Sequence, residues 1–219
     1  MREGISPDDL RQHTSRDPLQ SDGCFKDNPG LMRVYPSERR VDPLNLTVED
    51  IELCDIARAL SRLCRYNGHV HGYISVARHA VWVAELLLDA GEDPQRALEG
   101  LHHDDTEAYL GDMIRPLKHG ELGGIFRDAE ERADLVIAEK FALSFPQHPI
   151  VTEADRVAQH LELEYRRETF WSDPESDELD WLTAHDAINH MIHADWDSTP
   201  KGKHTLLALR YGHGPGELN

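Results

Sequence analysis

The chain has 219 residues, of which 39% are apolar, and this size and composition suit one compact domain with a single core. Its formal net charge of −18 argues against a nucleic-acid polymer as a partner, because binding a phosphate backbone requires a basic surface. The N-terminus has no apolar run, no stretch reaches the roughly 18 apolar residues of a membrane span, and the three cysteines are sparse, so we expect a cytoplasmic protein with reduced thiols and no membrane partner.

The first part of the chain is expected to be an irregular arm. Residues 1–46 are rich in Pro, Asp, Gly and Arg and show no clear periodicity, apart from a short hairpin predicted at 32–41. From Thr47 the apolar residues recur at helical spacing, which predicts a first helix over 47–66. Thr47 and Asp50 form a plausible capping box at its start, and "NGH" at 67–69 ends it.

Five further helices are predicted along the rest of the chain. They cover 75–91, 93–110, 124–143, 152–171 and 181–196. Pro94 stands at the first position of the third helix, where proline is tolerated, whereas Pro146 and Pro149 are expected to force a loop before the fifth. The fold class is therefore all-α and bundle-like. We assign 47–172 to the main domain and 173–219 to an extra C-terminal helical segment packed on it.

The stretch "GLHHDDTEAYLGDMIRPLKH" at 100–119 concentrates groups that bind metals and protons. On a continuous helix, Glu107 would share one face with His103 and Asp104, since it follows them by four and three residues. An imidazole and a carboxylate on one face make half of a metal site. A solvated polar face is the alternative, although Leu98 and Leu101 lie on the neighbouring face.

Two residues elsewhere could complete such a site. His79 stands among Val76, Ala80 and Val83, so its ring is expected to point into the core and to need a polar partner there. The alternative is a core histidine that bonds to a backbone carbonyl. Asp155 is placed in the first turn of the fifth helix, where it could equally serve to complement the helix dipole.

A second His-Asp pair lies near the C-terminus. His185 and Asp186 are followed by His190 and His193 at helical spacing, and the last two could bind zinc. Nothing earlier in the chain converges on them and the segment is polar, so this second site is the less favoured one.

The order of these motifs resembles the HD-domain phosphohydrolase superfamily. The runs that carry the resemblance are "CRYNGHVHGYISVARHAVWVAELL", "EGLHHDDTEAYLGDMIRPLK" and "EADRVA", within residues 47–171. The sequence is most similar to the branch that contains the YfbR-like 5'-deoxynucleotidases and the phage dATP triphosphohydrolases called DatZ. The pattern HDxxExxxGDxxxPxK, which runs here from His103 to Lys118, makes a chance match improbable.

The resemblance implies an HD-domain helical bundle and a role for each matching residue. The metal ligands would be His79, His103, Asp104 and Asp155. Glu107 would be the catalytic glutamate, and His102 a neighbour of the ligands rather than a ligand itself.

The resemblance also implies contacts with a nucleotide. Pro116 and Lys118 would lie near it, with Lys118 toward the phosphate. Arg65 would bind phosphate, and Arg62 is the fallback if the alignment is out of register. Tyr66 would either pack on the base or be an ordinary aromatic residue.

The chain departs from the family pattern at several points. Arg78 replaces the usual Glu or Gln before the first ligand, and Asp105 replaces the usual small residue after His-Asp. The stretch from about 173 has no counterpart in the family. These differences leave the metal ligands intact, but base specificity and subunit contacts cannot be carried over from the family.

The expected activity is hydrolysis of a deoxynucleotide with one divalent metal per site, Mn, Co, Zn or Ni. The favoured reaction is that of a dATP-type dNTP triphosphohydrolase that releases triphosphate in nucleotide-pool control. The alternative is a 5'-deoxynucleotidase that releases phosphate from a dNMP, and a lesser one is a catalytically silent sensor or scaffold. The resemblance further implies a homo-oligomer, a dimer or hexamer, in the cytoplasm, or in the host cytoplasm if the gene belongs to a phage.

Overall fold

The computed structural model of the protein describes residues 30–70, 72–120, 123–164 and 173–193. Over these ranges the fold is all-α, as predicted, with eight α-helices and one two-stranded hairpin. The helices are α1 (Leu53–Leu60), α2 (Val76–Asp89), α3 (Pro94–Leu101), α4 (Glu107–Leu110), α5 (Arg115–Lys118), α6 (Gly123–Phe141), α7 (Pro149–Glu164) and α8 (Pro174–His193).

The predicted hairpin is present at the start of the described chain. Its strands β1 (Met32–Arg33) and β2 (Arg40–Val41) pair antiparallel. The carboxylate of Asp55 on α1 accepts hydrogen bonds from the backbone nitrogen of Ser37 at 2.8 Å and from its hydroxyl at 2.5 Å. Val41 is buried in the core, so the hairpin is fixed to the helical bundle at both its tip and its base. The rest of the predicted arm, 1–29, lies outside the described residues.

Helix α2 is the centre of the bundle, and it packs against α1, α3, α7 and α8. Its start is fixed by Ser75, whose hydroxyl accepts a hydrogen bond from the backbone nitrogen of Arg78. Apolar side chains cover most of its circumference, which suits a helix surrounded by others. The buried ones are Val76, Ala77, Ala80, Val81, Val83, Ala84, Leu87 and Leu88.

The first predicted helix is shorter than expected. The capping box of Thr47 and Asp50 is present, but it opens a 3-10 turn at Val48–Asp50 and α1 begins only at Leu53. After α1 the chain makes a second 3-10 turn, in which Tyr66 and Asn67 have φ values of 58° and 52°. These left-handed conformations cannot continue an α-helix, so the prediction of one helix over 47–66 was wrong in its extent.

The third predicted helix is interrupted at the residues of greatest chemical interest. Helix α3 ends at Leu101, α4 begins at Glu107, and residues 102–106 form a turn between them. Its backbone bonds span three residues rather than four, from Asp105 N to His102 O and from Glu107 N to Asp104 O. A side-chain bond between His102 and Asp105 spans the same three residues and favours this tighter turn over a continuous helix. The prediction that His103, Asp104 and Glu107 share one helical face was therefore wrong.

Two helix starts also differ from prediction, while the fourth helix is confirmed as α6. Helix α7 begins at Pro149, which supplies the first helical residue instead of a loop, so Asp155 lies in the second turn and not the first. Helix α8 begins at Pro174 instead of Trp181, so the acidic residues at 174–180 form its first two turns, where carboxylates complement the helix dipole. Residues 165–171 and 194–196, also predicted helical, lie outside the described ranges.

The last helix of the described chain, α8, is part of the core. Trp181 and Ile188 on α8 are fully buried, and α8 packs against α1, α2 and α3. Cys54 and Cys64 are free thiols, and Cys24 is outside the described residues. Within the described ranges, none of the helices is both long enough and apolar enough to cross a bilayer.

Candidate metal centre

His79 is the buried centre of the candidate site. Its Nδ1 lies 2.7 Å from Oε1 of Glu162, and its Nε2 lies 2.9 Å from Oδ1 of Asp155. Both partners are carboxylates, which can only accept when ionised, so each ring nitrogen of His79 faces an acceptor. A metal ligand requires the tautomer in which Nδ1 donates to Glu162 and the lone pair of Nε2 is free for a cation shared with Asp155.

His103 is oriented in the same way by a different partner. Its Nδ1 donates to the backbone oxygen of Gly100 at 2.7 Å, so in the neutral ring the lone pair is on Nε2. That Nε2 is buried and makes no aligned hydrogen bond with any described residue, although Oδ2 of Asp104 is 3.0 Å away. The imidazole rings of His79 and His103 are tilted by 58° to each other, with centroids 5.2 Å apart.

These atoms have the spacing of a metal ligand set. Single ligand atoms of His79, His103 and Asp155 all lie within 4.8 Å of one another. Oδ2 of Asp104 lies beside this group, 3.0 Å from Nε2 of His103 and 3.9 Å from Nε2 of His79. Ligands at about 2.1 Å from a metal are separated by about 3.0 Å at right angles and by about 4.2 Å when opposite. The three-residue group could therefore hold a metal ion, while the identity of the ion and ligation by Asp104 stay predictions.

The electrostatics of the group favour a positive charge at its centre. Burial by itself lowers the pKa of His103, but the carboxylates of Asp104 and Asp155 outweigh burial and raise this pKa well above its usual value. Burial would raise the pKa of Asp104 and of Asp155, yet the neighbouring imidazoles outweigh it and lower both. The donor set of imidazole nitrogens and carboxylate oxygens matches what borderline divalent metals prefer.

Glu162 is a site residue that sequence reasoning missed. Its side chain is 1% exposed, and besides His79 it accepts from Nε of Arg65 at 3.2 Å and from the hydroxyl of Tyr66 at 2.7 Å. The usable signal was its position seven residues after Asp155, which places both side chains on one face of α7. Gln159, between them on that face, donates to both carboxylate oxygens of Asp155 at 2.7 and 2.8 Å.

Glu107 lies next to the group but forms none of its close contacts. One of its carboxylate oxygens is buried and makes no hydrogen bond within the part of the chain that the structure describes. Burial, followed by the negative charges of Asp104 and Asp112, raises the pKa of Glu107 well above its usual value. A buried carboxyl group with a free oxygen can bind a water molecule or carry a proton.

Comparison with known proteins places the chain among proteins whose names state no function. No protein-family model matches it. It is 44% identical over 96 residues to the uncharacterized protein YfdR of Escherichia coli K12, a match that covers 43% of the chain and 49% of YfdR, so the chain spans about half the length of that relative. It is 36% identical over 136 residues to the uncharacterized protein RCAP_rcc00048 of Rhodobacter capsulatus, a match that covers 58% of the chain and 69% of that protein. The chain belongs to the RCAP_rcc00048 family. This membership leaves the resemblance to HD-domain phosphohydrolases a prediction.

The two candidate phosphate-binding arginines occupy different places in this member of the RCAP_rcc00048 family. The side chain of Arg65 is only 8% exposed, and its Nη1 lies 3.4 Å from Oδ2 of Asp104, at the edge of the metal group. Arg62 instead contacts α8, with Nη1 2.6 Å from Glu178 and Nη2 3.1 Å from Glu175. The structure thus brings Arg65 to the site and does not bring the fallback, Arg62.

The remaining predicted substrate residues lie at the margin of the site. The hydroxyl of Tyr66 is used by Glu162, so stacking of its ring on a base stays a prediction. Nζ of Lys118 on α5 lies 2.7 Å from Oε1 of Glu130, a pairing that raises the pKa of Lys118 although burial opposes it. Pro116 is exposed on the same helix. Contact of Pro116 and Lys118 with a nucleotide is likewise still a prediction.

The second His-Asp pair forms no metal group in the described chain. His190 and His193 are exposed on α8. His185 points inward, and its Nδ1 lies 2.9 Å from Nε2 of His102. The less favoured zinc site is thus not assembled by the residues that the structure describes, and His185 has a different partner.

Proposed function

We propose that this protein is a metal-dependent phosphohydrolase of the HD type that acts on a deoxynucleotide. The observation that carries the proposal is the convergence of His79, His103 and Asp155, with Asp104 beside them. Each ring has its Nδ1 engaged by Glu162 or by a backbone carbonyl, so both Nε2 atoms face the group. The order of these residues along the chain, which resembles the HD superfamily, supports the same assignment.

The residues present fit a divalent metal. His79, His103, Asp104 and Asp155 would hold it, and the buried Nε2 of His103, which lacks an aligned hydrogen bond within the described chain, supports that role. Mn, Co, Zn or Ni bound there would polarise a phosphoryl oxygen and lower the pKa of a bound water toward about 7. Carboxylate and carbonyl partners on Nδ1 of both rings increase the basicity of Nε2 and fix the direction of its lone pair.

The chain's own groups would then position the reactants. The free oxygen of Glu107 can accept a hydrogen bond from the attacking water and take up its proton. Arg65 and Lys118 can donate to phosphate oxygens, and their charge would offset that of the substrate. Both cations are paired with carboxylates in this structure, Arg65 with Asp104 and Lys118 with Glu130, so substrate would compete with these pairs.

The favoured reaction is hydrolysis of a dATP-type dNTP at the α-phosphate, which yields a deoxynucleoside and triphosphate. A chromatographic assay decides among the alternatives: the full chain is incubated with Mn²⁺ or Co²⁺ and, separately, with each dNTP, NTP and dNMP. Triphosphate from a dNTP supports the proposal, and orthophosphate from dNMPs alone would identify a 5'-deoxynucleotidase. Turnover of none of these by the metal-loaded protein would indicate a silent sensor or scaffold.

Two variants test the site assignment in the same assay. Asp104→Ala removes a carboxylate at the metal group and is expected to reduce the rate by at least about a hundredfold, as loss of a group that stabilises the transition state does. His190→Ala changes an exposed histidine on α8 and is expected to leave the rate unchanged. An unchanged rate in Asp104→Ala would refute the site.

A further inference from the structure

A chain of four polar side chains connects α8 to the turn that carries two of the candidate ligands. Nδ2 of Asn189 lies 3.0 Å from Nε2 of His185, Nδ1 of His185 lies 2.9 Å from Nε2 of His102, and Nδ1 of His102 lies 2.5 Å from Oδ2 of Asp105. The side chains of His102 and Asp105 are completely buried. The metal mechanism uses none of these four groups.

The amide of Asn189, at one end of this series of four side chains, fixes the direction of every hydrogen bond in the series. Nδ2 of Asn189 also lies 3.0 Å from the backbone oxygen of His185, which can only accept, so the amide is oriented with its nitrogen toward His185. Nε2 of His185 must therefore accept and its Nδ1 must donate. In turn, Nε2 of His102 accepts and Nδ1 of His102 donates to Asp105. The neutral ring that this order requires agrees with burial, which lowers the pKa of His185 to about 4.

The last two residues of this hydrogen-bonded series lie on either side of two candidate ligands in sequence. His102 and Asp105 flank His103 and Asp104 in the 102–106 turn, where the backbone lacks the regular bonds of a helix. His102 is the residue that ends α3, with φ −96° and ψ 5°. Its ring bonds to Asp105 across the turn and to His185, on a helix more than 80 residues away in sequence, so the turn is tied to α8.

We propose that His185 is a positioning residue for the metal site, acting through His102 and Asp105 on the turn that carries His103 and Asp104. This inference rests on the metal site of the proposed function but not on its substrate. One residue of the second His-Asp pair, His185, would thus serve the first metal site.

Packing and hydrogen bonding of His185 can be tested separately. Its ring stacks on Trp181 at a centroid distance of 6.0 Å, so His185→Phe keeps an aromatic ring but has no donor for His102. In His185→Asn the ring is lost, yet the amide nitrogen is attached to Cγ as Nδ1 is, and it can donate to His102. If His185 acts through its hydrogen bond, His185→Phe should weaken metal binding more than His185→Asn does. If it acts through packing, the order should be reversed.

The experiment measures the dissociation constant for Mn²⁺ by calorimetry on the full chain, together with the Tm of each metal-free variant. We expect Mn²⁺ binding to weaken about tenfold or more in His185→Phe and less than about threefold in His185→Asn, since partners behind metal ligands typically change affinity by about 10–100-fold. The matched control is His190→Ala on the exposed face of α8, which is expected to bind Mn²⁺ as the wild type does.

The outcomes separate the two proposals. His185→Phe with wild-type Mn²⁺ affinity would overturn the positioning role, and so would a larger loss in His185→Asn than in His185→Phe, because packing would then explain the effect. If the wild type binds Mn²⁺ but hydrolyses no nucleotide, the proposed function fails while the positioning role stands or falls on its own result. If the wild type binds no Mn²⁺, both proposals fail.

Discussion

Replacing Glu162 tests whether the orientation of His79 controls metal binding. The buried carboxylate bonds to Nδ1 of His79 at 2.7 Å, to Nε of Arg65 at 3.2 Å and to the hydroxyl of Tyr66 at 2.7 Å. Glu162→Ala removes one carboxylate partner from the guanidinium of Arg65, whose side chain is only 8% exposed. Breaking a buried ion pair in this way costs about 3–5 kcal/mol, which in a domain of this size lowers the Tm by roughly 6–20 °C.

The effect on metal binding is separate from the effect on stability. Without its acceptor, the ring of His79 can rotate or move its proton to Nε2, so we expect the affinity of the folded protein for Mn²⁺ to fall by about 10–100-fold. In Glu162→Gln the amide oxygen can still accept from His79, so its metal affinity is expected to fall less than that of Glu162→Ala. Both values are measured by calorimetry below the Tm of each variant.

Glu153 provides the matched control on the same helix. It is an exposed glutamate whose carboxylate pairs with the exposed Arg156 at 2.5 Å. Glu153→Ala is expected to leave both the Tm and Mn²⁺ binding unaltered, because an exposed ion pair contributes little to stability. Wild-type Mn²⁺ affinity in Glu162→Ala would refute the claim that His79 is a ligand oriented through its Nδ1.

Three further tests, made with five substitutions, concern the packing and the charges of the fold. Gly100→Ala is expected to destabilise the fold by about 1–3 kcal/mol, because a Cβ there would lie 2.5 Å from a buried leucine of α2. A Cβ at Gly124 would have no atom within 4 Å, so Gly124→Ala should stabilise the fold by about 0.5–1 kcal/mol. Urea unfolding measures both free energies. Ile188→Ala should cost about 2–5 kcal/mol because the residue is fully buried, and Leu179→Ala, 58% exposed, should be nearly neutral, so equal effects would contradict the packing of α8 in the core. Burial raises the pKa of Glu85 from 4.5 to about 7, so the folded state binds the proton more tightly and stability falls as pH rises from about 4.5 to about 7. Glu85→Gln should therefore stabilise by about 1–2 kcal/mol at pH 8, after allowance for partial exposure, and by almost nothing at pH 4; equal Tm shifts at both pH values would contradict this.

Features with a local cause were predictable from the sequence. The capping box of Thr47 and Asp50 forms because its two side chains are three residues apart, whatever the rest of the chain does. The hairpin at 32–41 and the start of α2 at Ser75 have equally local signals, turn residues in one case and an N-cap in the other. The all-α class follows from the same helical periodicity.

Features with a distant cause were not predictable in this way. Helical spacing continues through 102–106, but the chain breaks there around a bond between His102 and Asp105 that is stabilised by a residue of α8. Likewise, Tyr66 and Asn67 adopt left-handed conformations where the hydroxyl of Tyr66 reaches Glu162 on α7. In both places tertiary contacts override the local preference for helix.

The candidate site illustrates the same division. The sequence pattern pointed to His79, His103 and Asp155, and these three do come together as a group that could hold a metal. The pattern did not identify Glu162, because a glutamate on an amphipathic helix usually faces solvent. Glu162 becomes a site residue only because the fold buries it. His79 could be recognised from its apolar neighbours, but the tautomer that suits it to a metal depends on Glu162.

The position of the candidate site explains why chemistry and stability should be closely linked in this protein. Helix α2 contributes His79 and also forms the centre of the core. It packs against α3, which leads into the 102–106 turn, and against α7, which carries Asp155. The distances between the ligand atoms therefore depend on the apolar contacts of these three helices as well as on the 102–106 turn, which carries His103 and Asp104. A packing defect between α2 and α3, such as the one expected in Gly100→Ala, should alter metal affinity as well as stability, because the backbone oxygen of Gly100 is the acceptor that orients His103. Core substitutions far from any substrate are thus expected to act on the metal centre through backbone position, in proportion to how far they move α3 against α2.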